Sequence, residues 1–152
     1  MTLSGSTSPP PGGFPATAFF SKTFDEAQSL IVETLDYARI ARQEPRDQPA
    51  TTLSRGLESM RLSTRLTQIS AWLMFQRAVH SGEMPPEEMA RPSNRLGGHD
   101  ICYDRRGEDM PHLSPKLRDL LRRSRKLYQR VARLDEMIAR DIGQAPERPV
   151  VE

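Results

Sequence analysis

Three stretches of the chain repeat their apolar residues with helical spacing, and the rest does not. Phe20, Phe24, Ala27, Ile31, Leu35 and Ala38 recur every three or four residues and form one stripe. They predict a first helix over about 21–43. Ser21 or Thr23 would cap it, with Asp25 and Glu26 in its first turn, where the helix dipole favours acids. Pro45 and Pro49 in "EPRDQPATT" break the pattern. A second helix follows from about 51 to 81, roughly 45 Å long, and Gly82, Pro85 and Pro86 stop it. A third runs over about 114–142. Ser114 is its cap, Pro115 takes the first helical position, and Gly143 and Pro146 end it. Leu117, Leu120, Leu121, Ser124, Leu127, Tyr128, Val131, Leu134 and Ile138 mark its buried face. Residues 83–113 show no sustained period and read as a long flexible loop in which "PPEEMA" suits a single turn. No strand pattern and no internal repeat is present. The expected architecture is all-α: an antiparallel three-helix bundle over 19–142, between a disordered Pro/Gly/Ser-rich tail (1–18) and a short C-terminal tail (143–152).

The second helix has an unusual pattern, with apolar residues on two sides. Leu53, Met60, Thr64, Thr67, Ala71, Met74 and Ala78 fall in one sector, with Leu57 and Phe75 at its edge. Leu62, Leu66, Ile69 and Leu73 fall in another, roughly 160° away at about 100° per residue. Trp72 lies between them. Ser63, Ser70 and Arg77 line one gap, and Arg65 and Gln76 the other. The hydroxyls of Thr64 and Thr67 can bond back to the preceding turn. Within a bundle one broad stripe serves both neighbouring helices, so a second stripe needs a further partner. The stripe of Leu62, Leu66, Ile69 and Leu73 is therefore the candidate seam of a homodimer. The alternative is that the long loop or "FPATAFF" folds back over it.

Composition narrows the class. Apolar residues make up 36% of the 152 and charged ones 28%, with a net charge of +2. This is less core material than an average globular domain holds, in keeping with a small core and loose ends. Aromatic content of 6% argues against a base-stacking surface. Cys102 is the single cysteine, so no internal disulfide forms, which suits a reducing compartment. The N-terminus lacks a basic segment followed by an apolar run, and no stretch of about 18 apolar residues occurs. The expectation is a soluble, cytoplasmic protein without membrane insertion.

Candidate chemistry is thin. The histidines are His80, His99 and His112. In "GGHDICYD" His99, Asp100, Cys102 and Asp104 are close in sequence, but a zinc site wants about four well-placed ligands, and a cysteine nucleophile wants a base and a pocket. No phosphate-binding glycine loop, metalloprotease or hydrolase motif is present. Glu87 and Glu88 sit in a Pro-flanked loop, a poor platform for acid–base work. The reading is a non-enzyme with no cofactor and no metal.

Charge is the strongest feature of the third helix. Lys116, Arg118, Arg122, Arg123, Arg125, Lys126, Arg130 and Arg133 stand against one acid, Asp119. Arg118, Arg122, Arg123, Arg125, Lys126, Arg130 and Arg133 are the candidate partner-binding residues, facing an acidic protein or nucleic acid. The plainer alternative is a solvated helix face. A DNA reader would need a short recognition helix after a tight turn, which is missing here, so nucleic acid is the weaker reading.

The stretch "ESMRLSTRLTQISAWLMFQRAVHSGEM", Glu58 to Met84, resembles the signature helix of the RcdA family, the regulators of CtrA degradation, many of whose members are filed as a domain of unknown function. "FFSKTFDEAQSLIVET" and "LSPKLRDLLRRSRKLYQRVARLD" are similar to the family's first and last helices, so the resemblance covers about 19–135. It implies dimeric three-helix bundles without enzymatic activity. These serve as adaptors that help deliver cell-cycle regulators, CtrA among them, to the ClpXP protease, together with other adaptors at the cell pole. A flexible loop and a C-terminal tail belong to the family pattern, and the tail here is short. The expectation is a cytoplasmic homodimeric adaptor whose partners are protease machinery, substrates or co-adaptors. A nucleic-acid-binding protein and a structural subunit of a fixed complex are the alternatives.

Overall fold

The structure is a computed structural model that describes residues 17–44 and 48–144, the first three of them by backbone only. The tails expected at 1–18 and 143–152 lie outside the described residues, except for 17, 18, 143 and 144, which are helical. Four α-helices occur among the described residues, and no strand: α1 (Thr17–Ala41), α2 (Pro49–His80), α3 (His99–Cys102) and α4 (Pro115–Gln144). The three long helices all touch one another around one core. Helix α1 starts earlier than its capping residues suggest, so Asp25 and Glu26 lie beyond the first turn and Thr23 is a buried position inside the helix. Pro49 opens α2 at the first helical position. Gly82 ends the turn after it with φ +78°, a left-handed conformation that glycine reaches without a Cβ penalty. At the start of α4 the Ser114 hydroxyl accepts from the Leu117 N–H at 3.2 Å, so the expected cap forms.

Two expectations are corrected. The first concerns the sides of α2. Leu62, Leu66, Ile69 and Leu73, the candidate dimer seam, are at most 6% exposed and lie in the chain's own core. Leu53, Leu57, Met60 and Met74, on the stripe expected to face inward, are 54–67% exposed. The physical reason is that the inner face is wider than its aliphatic residues suggest. Glu58, Arg65, Trp72 and Gln76 are buried with them: Arg65 and Trp72 find partners far along the chain and Glu58 pairs with Arg61 one turn on, while the Gln76 amide nitrogen has no partner among the described residues. Once those residues point inward, the charge-free stripe is the one left outside.

The second concerns residues 83–113, expected as a flexible loop. They hold α3 and three short 3₁₀ turns, Pro86–Ala90, Pro92–Asn94 and Arg106–Asp109. Met89, Leu96, Cys102 and Leu113 are buried in the main core. The segment lies against α2 and α4 as an additional helical layer beside the three long helices. Gly98 makes its entry turn at φ +76°. At Gly107 a Cβ would collide with the buried carboxylate of Glu58, so only glycine allows that approach.

The assignment of sides has a direct thermodynamic test. Ile69→Ala should cost about 2–5 kcal/mol in urea unfolding, whereas Met60→Ala at low protein concentration should change stability by less than about 0.5 kcal/mol.

Candidate functional site

The polar chemistry of the molecule gathers where the 95–110 segment meets α2 and α4. Arg65 is fully buried. Its Nε donates to the Cys102 carbonyl at 2.8 Å, one Nη to the Leu121 carbonyl at 2.9 Å and the Ser124 hydroxyl at 3.3 Å, and the other Nη to the Asp104 carbonyl. Among the described residues no carboxylate forms an ion pair with it. Burial favours loss of its proton, which shows as a lowered pKa. Arg61 donates to Glu58 at 3.0 Å and to the Ile101 carbonyl at 2.7 Å. Arg125 grips Glu108 through two bonds of 2.6 and 2.9 Å, with both side chains largely buried. Arg65 and Arg61 through backbone carbonyls, Arg61 also through the Asp104 carboxylate at 3.6 Å, and Arg125 through Glu108 thus fasten the segment to α2 and α4.

A second tie lies nearby. The Trp72 indole donates to one oxygen of the buried Asp135 at 2.9 Å, and Arg95 donates to the other at 2.8 Å. The Gln68 carbonyl oxygen accepts from Gly97 N at 3.0 Å, and the Tyr128 hydroxyl donates to Gly97 O. His99, Tyr103 and Tyr128 form an aromatic trio with centroids 5.3–5.9 Å apart. Cys102 is buried beside them, and burial pushes its thiol pKa up, the wrong direction for a nucleophile. His99 Nε2 rests 3.0 Å from the Leu96 carbonyl. Among the described residues no group of three or more His, Cys, Asp or Glu is placed to hold a metal ion, and no helix is long and apolar enough to cross a membrane.

The basic face of α4 is largely internal wiring. Arg123 donates to Glu33 at 2.6 and 3.1 Å and to Asp119 at 3.1 Å, and Lys116 reaches Glu33 at 3.0 Å. Arg130 pairs with Glu26, and Arg125 with Glu108. These arginines hold α1 and the 95–110 segment to α4. Arg118 has its Nε buried without a partner. Arg122 has only Asp119 at 3.9 Å, and Lys126 and Arg133 are exposed with no ion pair among the described residues. Of the seven candidates, the solvent-facing ridge therefore reduces to Arg122, Lys126 and Arg133. Reversing Arg123 or Arg125 would unfasten the fold as well as change the surface.

These features stand on a recognisable framework. A family described as "Protein of unknown function (DUF1465)" matches residues 13–152. The crystal structure of RcdA from Caulobacter crescentus CB15 matches with a TM-score of 0.65 at 34% identity, over 83% of this chain and 95% of that one. The chain belongs to the RcdA family. No curated protein matches it. The stretch that carries the family likeness, Glu58–Met84, contains both the buried Glu58–Arg65–Trp72 face and most of the exposed stripe.

Sequence reasoning missed Arg65, Glu58, Glu108 and Asp135. A signal for the first two was present: residues 58, 62, 65, 69, 72 and 76 share one alternating four-three spacing, which places the Glu and the Arg on the same face as Leu62 and Ile69. The same spacing runs through Leu117, Leu121, Ser124, Tyr128, Val131 and Asp135 and places that aspartate on the buried face of α4, whereas nothing comparable marks Glu108.

Arg65→Met should orphan the carbonyls of Cys102 and Asp104, at about 1–3 kcal/mol each, and should speed amide exchange across 98–104. The charge ties also give a pH dependence. Hydrogen bonds from Arg123, then Lys116, lower the Glu33 pKa from 4.5 to about 2. Because the folded value is the lower one, this stabilisation is complete above the ordinary carboxylate range and disappears as pH falls through 4.5 toward 2. Acid unfolding of Glu33→Gln should lack that part of the slope.

Proposed function

We propose that the chain is a non-enzymatic regulatory adaptor, working as a homodimer in the cytoplasm, that brings protein partners together. By family likeness those partners are the ClpXP machinery, its co-adaptors and cell-cycle substrates such as CtrA, with recruitment to the cell pole. The observation that carries the reading is the unpartnered outer stripe of α2. It is long, apolar and free of charge, and its most economical cover is a second copy. The dimer seam is thus assigned to Leu53, Leu57, Met60 and Met74 in place of Leu62, Leu66, Ile69 and Leu73. The ridge of Arg122, Lys126 and Arg133 is the proposed dock for an acidic segment of a partner. With Arg123, Arg125 and Arg130 already paired, few cations remain in a row to neutralise a phosphate backbone, which disfavours nucleic acid.

The experiment is affinity capture with a protease trap, using the full chain and an Arg122→Glu, Lys126→Glu, Arg133→Glu variant. The parent should retain specific partners, and the variant should lose them with helicity unchanged. Recovery of the same partners by the variant would remove the ridge from the proposal, and a trap that retains no partner would remove the adaptor reading. For the seam, Ala71→Arg should halve the mass seen by light scattering without altering helicity.

A further inference from the structure

The outer stripe of α2 is more regular than exposure alone requires. Leu53, Met60, Thr67 and Met74 repeat every seven residues, and so do Leu57, Thr64, Ala71 and Ala78. Interleaved, they give the alternating four-three spacing of a coiled-coil seam. A strict seven-residue repeat drifts by about 20° per heptad on a straight helix. It stays in line only against a helix that winds round it, so the pattern is one of a helix packed on a helix. The stripe extends over about 38 Å at about 1.5 Å per residue. Of the four residues beside it at the repeat, Gly56, Ser63 and Ser70 are small and let a second backbone come close, and the fourth, Arg77, stands at the exposed C-terminal end.

The order of side chains along the stripe also has a direction. Read from its two ends toward the middle, Leu53 is matched by Ala78, Leu57 by Met74, Met60 by Ala71 and Thr64 by Thr67. The pattern is self-complementary under reversal: two of the three outer matches set a large residue against a small one, and the central match sets threonine against threonine. We propose that α2 pairs with α2 of a second copy in antiparallel register, with the two-fold axis passing midway between Arg65 and Leu66. This inference rests on the homodimer reading above and adds its orientation and register.

A two-fold contact is isologous, so residue i touches j and j touches i, and the four matches above become eight layers. In them each alanine receives a methionine or a leucine, so no layer sets alanine against alanine, and the Leu57–Met74 layer is the bulkiest. A parallel pairing would stack Leu53, Leu57 and Met60 on themselves at one end and, toward the other, Ala71 and Ala78 on themselves on either side of a Met74 pair. That arrangement splays the helices at one end and leaves voids at the other. The central threonines suit either arrangement electrostatically. The Thr64 hydroxyl already donates to the Met60 carbonyl at 2.9 Å, so burying it strands no donor.

The test is disulfide mapping on the full chain. Leu53→Cys and Ala78→Cys are made separately with different tags, mixed, exchanged and oxidised gently; Cys102 is fully buried and stays apart from the reaction. In the proposed register the mixed 53–78 disulfide should dominate. Each variant alone should give almost none, because its two cysteines stand about 38 Å apart. The pair Met60→Cys and Ala71→Cys should repeat the result nearer the axis. Self-linked 53–53 or 78–78 would establish a parallel pairing and overturn the register. So would a parent protein of dimer mass whose helical variants give no mixed link with either pair. A parent of monomer mass would overturn the homodimer reading itself, a different failure that light scattering separates from the first.

Discussion

The guanidinium of Arg65 is the constraint from which the rest of the arrangement follows. It is fully buried, and its acceptors are three backbone carbonyls and a serine hydroxyl, with no carboxylate among the described residues. Taking such a cation out of water is costly unless its N–H groups are satisfied in good geometry. Five donors in a rigid planar fork can reach acceptors on several elements at once. Here they reach the end of α3, the chain just beyond it, and the N-terminal third of α4. Few placements of those three pieces satisfy the fork together. The position of residues 98–104 is therefore fixed by hydrogen-bond geometry as much as by apolar packing, and Arg61 and Arg125 extend the same fastening on either side.

This polar fastening explains why the helices were legible in the sequence and their faces were not. The existence and type of α1, α2 and α4 follow from apolar spacing, and the buried run from Leu117 to Val131 in α4 is where the period puts it. In α2 the same reasoning went wrong because it gave the interior to the broader of the two apolar stripes. The inner face holds a glutamate, an arginine and a glutamine, while the outer one holds none, so hydrophobicity alone points the helix backwards. The packing of 83–113 was hidden for a related reason. Met89, Leu96, Cys102 and Leu113 are single anchors without a shared period. The ties that set their depth come from residues dozens of positions away.

The charge excess of α4 has the same origin. Read locally it is a lopsided cationic face. Read in three dimensions, Glu26 and Glu33 on α1 and Glu108 in the added layer supply most of the missing acids. The two surfaces that remain, an apolar stripe on α2 and a short basic ridge on α4, are what a protein that works through contacts has to offer. They were visible in the sequence with one face exchanged for the other and the ridge overdrawn.

The Arg65 bonds also say something about the order in which a growing chain can take shape. Its acceptors at Cys102 and Leu121 lie 37 and 56 residues downstream. On a ribosome, α1 and α2 emerge and can dock as a hairpin long before α4 exists. Throughout that interval the guanidinium remains hydrated on the hairpin's inner surface, and its dehydration is deferred until α4 arrives. An arginine in this place sets one hydrated group among Leu62, Leu66 and Ile69, where a further leucine would widen the sticky part of the nascent surface.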